Sequence, residues 1–345
     1  THVQQDPLEL AAELWRLCAE SSFDYLSLGP ILANARGANL SAIELLPELI
    51  GSTESVFASV LVTGANRGLS LKAIRRTAGV IREVAHNTPS GFGNLRLAVL
   101  ANVGPHSPFF PAAYHDGGAP ALGIATESAD LALSAFSKAG SLEEARTRLV
   151  SAIESTARQI ADCICPLAES RGHRFVGIDF SLAPYPDMAR SIGGAMEHLG
   201  VDRFGAPGSL FIASFITDCL RRADFPHCGF NGLMLPVLED ITLAARTRDG
   251  SFTVNDLLLY SAVCGTGLDT VPLPGDVSEP ELAGILLDVA AMALRLDKPL
   301  TARLMPIPGA KAGDLTEFDF AYFANGQVLD VKGMGSDRLF ERGAW

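Results

Sequence analysis

Two apolar rhythms alternate along the chain. Segments whose apolar residues recur every three or four positions predict helices over residues 6–21, 39–49, 70–86, 127–137, 142–170, 186–199, 208–223, 253–264 and 277–296. Between them lie short apolar runs, which predict strands over 25–29, 55–63, 95–102, 121–126, 175–180, 233–238, 268–273 and 301–305. Ser70 is placed to cap its helix, Asn39 or Ser41 the preceding one, and Gly64 to Gly68 read as a turn. Strands that alternate with helices predict an α/β fold with mainly parallel pairing. The loops between the elements are short, so one closed domain is expected rather than two.

Several of these apolar runs stop on an acid or in a Pro/Gly loop. One ends around Asp179, Ser181 and Pro184, another at Glu239 and Asp240. Asp269 and Asp276 flank a proline-stiffened segment, and the run with Arg303 ends at Pro306 to Gly309. Strand ends that release carboxylates into loops are where α/β proteins assemble sites. Each acid also has a structural explanation. Asp179 and Asp240 sit where a helix cap could be needed, and Asp276 precedes Ser278 and Glu279 as a helix start would. A partly dry pair of carboxylates could divide into an acid and a base or nucleophile, or bind a divalent cation, Mg or Ca, through oxygen.

The long loop after residue 102 is dense in Pro, Gly, aromatic residues and His. There His115 is followed by Asp116, which could orient it, and His106 is a weaker candidate. Cys264 ends a helix before a Gly-flanked turn, where a thiol could reach substrate, although a buried inert thiol is the ordinary expectation. Cys163 and Cys165 point to different faces of one helix, which argues against a redox or metal pair. Arg203 precedes a Gly- and Ser-containing helix start able to receive an anion, and Lys311 lies in a second cationic loop.

Composition narrows the classes. The 345 residues carry a net charge of −12, which disfavours nucleic acid and anionic membrane as partners. Apolar residues make up 48%, but Glu279, Glu281 and Asp288 interrupt the longest apolar stretch, so no spanning helix is expected. The first residues carry no basic–apolar–small pattern of a signal peptide. Six cysteines without disulfide or zinc spacing are expected to be reduced thiols of a cytoplasmic protein.

The segments Ser52 to Phe57, Asn87 to Gly93, Phe109 to His115, Glu127 to Asp130, Gly177 to Pro184, Arg203 to Gly208, Ala262 to Asp269, Pro274 to Asp276 and Pro306 to Gly309 together resemble domain-of-unknown-function family 711, a pyruvate formate-lyase-like group. The resemblance runs in order over roughly residues 22–320. It implies a ten-stranded α/β barrel like that of glycyl radical enzymes, with two parallel half-sheets and helices outside; a break near 171–174 could separate pseudo-halves at about 1–172 and 173–320, with a tail over 321–345. It also marks Glu54, Asn102, His115, Glu127, Asp179, Ser181, Arg203, Glu239, Asp240, Cys264, Asp269, Asp276 and Arg303 as residues matching the family motifs. The radical chemistry of that fold is not expected here. No Arg-Val-x-Gly-Tyr loop stands near the C-terminus and no Cys-Cys pair is present.

These features lead to an expected enzyme, a hydrolase of glycosidase type acting on a small, polar, hydroxylated substrate. Asp179, Asp240 and Asp269 would be acid, base or nucleophile. His115 and Arg303 would position or polarise the substrate, and Phe109, Phe110 and Tyr114 would form an apolar wall. Glu54, Asn102, Glu127, Ser181, Arg203 and Glu239 complete the expected binding set, and a homo-oligomer is expected. Two alternatives stay open: Cys264 as nucleophile of a non-radical lyase or transferase, and a metabolite-sensing barrel without catalysis.

Overall fold

Val56 to Val62 form an apolar run broken only by Ser59, without the polar alternation of a half-exposed strand, and all seven residues are buried. A strand covered on both faces reads this way. In the computed structural model, which describes residues 6–64, 68–333, 335 and 337–342, this run is the second of eight strands. They are β1 (Leu26–Leu32), β2 (Val56–Gly64), β3 (Gly68–Leu69), β4 (Leu97–Ala101), β5 (Ala121–Glu127), β6 (Arg174–Ala183), β7 (Gly267–Pro274) and β8 (Leu300–Ile307). The interior of the turn expected between Gly64 and Gly68 lies outside the described residues.

The main sheet runs β1-β2-β4-β8-β7, with β3 attached to β2. β1, β2 and β4 are mutually parallel, β4 meets β8 antiparallel, and β8 is parallel to β7. A second sheet pairs β5 and β6 in parallel. One face of the main sheet packs Val56, Ala58, Val60, Val62, Val99 and Leu304 into the principal core, which helices Leu71–Asn87 and Glu279–Leu296 share. Ser278 and Glu281 form a capping box at the start of the second helix.

The fold is therefore α/β with mostly parallel strands. The ten-stranded closed barrel is not found among the described residues. Among the described residues the run expected as a strand over 233–238 makes one isolated bridge, Pro236 to Asp269, and the chain before it makes another, His227 to Ile178. Pro236 has no N–H to give a ladder, and Asn231 sits at φ 45°. Further hydrogen bonds, Met234 N–H to Ser181 O and Val237 N–H to Asp269 O, tie this irregular stretch to β6 and β7. At β1, the loop after β4 makes contact: Ser27 Oγ donates to Ala113 O at 2.7 Å, and a Cβ at Gly29 would meet Tyr114 Cβ at 2.9 Å.

Other differences are local. The helix expected over 39–49 is a 3-10 turn, Leu40–Leu45, followed by the helix Leu46–Gly51 that Pro47 opens. The helix expected over 186–199 is likewise a turn and then Ile192–His198. A short helix, Ile241–Arg248, follows Asp240, which caps it as its position suggested. No helix among the described residues is long and apolar enough to cross a membrane.

Candidate functional site

The face of the main sheet turned away from that core is layered. One layer contains Leu61, Leu100, Val103 and Ala112, with Phe230 and Tyr114 packed against it. Another contains Leu95, Leu238, Met305, Phe318 and Phe323. Two-residue spacing along β2, β4 and β8 leaves a row between them. It consists of Ser59, paired with Ala98 across β2–β4, and Arg303, which faces Ala98 when the Val99–Ala302 register is carried one residue on.

Arg303 is nearly sealed, with a side chain 9% exposed. Its Nε donates to Asp269 Oδ1, its Nη2 to Glu239 Oε1 at 2.8 Å, and its Nη1 reaches Leu95 O at 3.4 Å. A bulge in β7 delivers Asp269: the register slips between Leu268 and Val271, and Thr270 sits at φ 40°. A β-branched residue in the left-handed region is strained, and such bulges re-aim a neighbouring side chain. Burial works against the charge on Arg303, but the two carboxylates outweigh it and raise its pKa. The guanidinium is therefore already paired. With both acids ionised the triad carries a net charge of −1, which suits a neutral substrate better than an anion.

Glu239 differs from its neighbours. Its side chain keeps 22% of its surface, against 4% for Asp269. Desolvation pushes its pKa up to about 7; Arg303 opposes the shift, while Asp269 and the more distant Glu127 reinforce it. Glu127 is exposed at the end of β5, where its charge also acts on Arg190. The aromatic rings of Tyr25 and Phe110 each stand edge-on to Phe57, two residues before Ser59, at 5.2 Å.

The other expected acids lie elsewhere and are bound up in local structure. Asp179 is fully buried and accepts from Ser181 N–H and Oγ, Phe230 N–H (2.6 Å) and Asn231 N–H (3.0 Å). It pins the loop after residue 227, where a Cβ on Gly229 would strike Asp179 Oδ2 at 2.1 Å. Burial outweighs those bonds and lifts its pKa to about 6. Ser181 serves this same knot. Asp240 caps two helices. Oδ1 accepts from Thr242 N–H, Leu243 N–H and Ser191 Oγ, and Oδ2 from Ile192 N–H and Gly193 N–H. Burial raises its pKa as well.

His115 is exposed. Its Nδ1 accepts from Gly117 N–H at 2.8 Å, so its Nε2 carries the proton and donates to Ala119 O at 3.2 Å. That is a neutral imidazole bracing a turn, and it also stands edge-on to His106 at 4.9 Å. Cys264 is 1% exposed, and its carbonyl oxygen, with those of Ser261 and Ala262, receives the buried Lys298 ammonium. Asn102, at φ 56°, donates to Asp297 Oδ1 at 3.2 Å. Glu54 is exposed ahead of β2, near the Arg96 side chain that holds Ile50 O and Thr53 O. Arg203 is half exposed, 4.0 Å from Asp249. Tyr114 donates its hydroxyl to Val103 O at 3.0 Å, and Phe109 is half-buried. Asp276 is exposed, two residues before the Ser278 cap.

No group of three His, Cys, Asp or Glu side chains among the described residues is arranged to hold a metal ion. The donor set fits a divalent cation poorly. Asp179 and Asp240 spend their oxygens on N–H and O–H donors, and Asp269 and Glu239 already face a guanidinium. Sequence reasoning named Asp269, Glu239 and Arg303, which the structure brings together, but did not single out Ser59, Tyr25 or Phe57. The only available signal for Ser59 was one hydroxyl inside an apolar strand.

A family model described as "Uncharacterised ACR (DUF711)" matches residues 1–324. A UPF0210 protein of Pyrobaculum arsenaticum is 33% identical over 329 residues, covering 91% of this chain and 71% of that protein. One from Pyrobaculum aerophilum is 30% identical, covering 87% and 68%, and one from Methanopyrus kandleri is 30% identical, covering 94% and 74%. The chain therefore belongs to the DUF711 family, whose relatives here carry the name UPF0210.

Proposed function

We propose that the chain is an enzyme in which Glu239 passes a proton to or from a small, neutral, hydroxylated substrate, in a hydrolysis of glycosidase type. One observation carries this reading: Glu239 is held by Arg303 in the polar row, yet it alone of the row's two carboxylates stays partly open. A carboxyl that titrates near neutrality is matched to general acid–base work. Arg303 fixes the orientation of both carboxylates, and Asp269 keeps the guanidinium charged and in place. The edge-on rings of Phe57, Phe110 and Tyr25 offer apolar faces for a sugar-like ring. We also read the two sheets as arcs of one barrel-like wall, with the irregular stretch 227–237 as the stave between β6 and β7.

The test is hydrolysis of a panel of 4-nitrophenyl glycosides by the full chain and by Glu239→Gln. The amide keeps the size and the bond to Arg303 but cannot cycle a proton. Turnover should fall by about 100-fold or more. A Glu239→Gln variant as fast as the unaltered chain would remove Glu239 from the chemistry.

A further inference from the structure

Ser59 is 0% exposed, and its hydroxyl has no hydrogen-bond partner among the described residues. It interrupts the otherwise apolar run of β2, where a methyl-sized apolar side chain would pack as well. A buried unmet hydroxyl is a standing cost that folding alone gives no reason to keep. Its place is informative. Across β2–β4–β8 it shares a row with Ala98 and Arg303, and Ala98, the smallest chiral side chain, is all that stands between the hydroxyl's strand and that of the guanidinium.

We propose that the Ser59 hydroxyl is a substrate-positioning group. It would hold one hydroxyl of a neutral polyol or sugar whose other end lies against Glu239. This rests on the reading of Glu239 given above and adds a group that positions the substrate. Two strand spacings separate the backbones of Ser59 and Arg303, about 9.5 Å. That length is comparable to a molecule of roughly pentose or hexose size. With both carboxylates ionised, the net charge of −1 on the Arg303–Asp269–Glu239 triad disfavours an anionic sugar. Phe110, in the loop between β4 and β5, stands edge-on to Phe57, two residues before Ser59.

The experiment uses the full chain, Ser59→Ala and Glu239→Gln. Each is titrated with xylitol, methyl glucopyranoside and glucose 6-phosphate by ligand-observed saturation-transfer NMR, and thermal midpoints are recorded alongside. The unaltered chain should bind a neutral probe in preference to the phosphate. Ser59→Ala should weaken that binding roughly tenfold, as loss of one hydrogen bond does, with a midpoint equal or higher because the unmet hydroxyl is gone. Equal affinity in Ser59→Ala overturns the proposal, as does binding of neither neutral probe or preference for the phosphate. Glu239→Gln separates the two readings. If it turns over glycoside normally while Ser59→Ala still loses affinity, the role of Glu239 fails and that of Ser59 stands.

Discussion

At the scale of single residues, the acids divide by what their oxygens touch. Asp179 accepts four hydrogen bonds and Asp240 five, all from the chain itself. Among the described residues Glu239 receives one hydrogen bond, from Arg303, and keeps an open flank. The sequence marked all of them as acids at strand ends, because that property is local. It could not rank them, because saturation depends on loops from elsewhere in the chain: Phe230 and Asn231 for Asp179, Ser191 to Gly193 for Asp240. Arg303 illustrates the same limit. It looked like a substrate anchor, but Asp269, delivered by the β7 bulge, and Glu239 already use its donors. Arg303→Met should therefore leave two carboxylates facing each other without a cation. We expect a loss of about 3–5 kcal/mol in urea unfolding at pH 7.5. A loss below 1 kcal/mol would mean the triad contributes little to the fold.

At the scale of elements, the legible parts were those set by periodicity. β2, β4, β7 and β8 fall on the expected apolar runs, and the helices Leu71–Asn87 and Glu279–Leu296 fall on the expected 3.6-residue patterns. The stretch 227–237 was not legible. Its apolar run from Leu233 reads as a strand, but Pro236 and the left-handed Asn231 stop a ladder from forming. Gly232 adds a tertiary constraint, since a Cβ there would lie 1.9 Å from Gly265 Cα. Asp240 shows how one side chain can organise two elements. It closes the N-terminus of Ile241–Arg248 and reaches across to that of Ile192–His198. Asp240→Ala removes the cap of Ile241–Arg248 and the acceptor for the first two N–H groups of Ile192–His198, which keeps Ser191 as its own cap, so we expect destabilisation of roughly 3–5 kcal/mol. Protease susceptibility in both helices should rise together. Destabilisation confined to one helix would contradict the double cap.

At the scale of the whole molecule, α/β architecture and parallel pairing followed from the alternation of elements, whereas closure depends on edge contacts that no single run records. Burial of carboxyls also gives the molecule a pH signature. Glu239 and Asp179 are raised from 4.5 and 3.8 to about 7 and about 6, so the folded chain holds more protons than the unfolded chain between roughly pH 4 and pH 7. Stability should therefore be greater near pH 5 than at pH 7.5, and it should fall as pH rises through that window by on the order of 1 kcal/mol per pH unit. Glu239→Gln should flatten the upper part of the slope. The central claim is that Glu239 exchanges its proton near neutrality, and its own titration tests this most directly. In protein labelled with 13C at glutamate side-chain carboxyls, the signal lost in Glu239→Gln should titrate with a midpoint near pH 7. A midpoint at the ordinary glutamate value of about 4.3 would contradict the account.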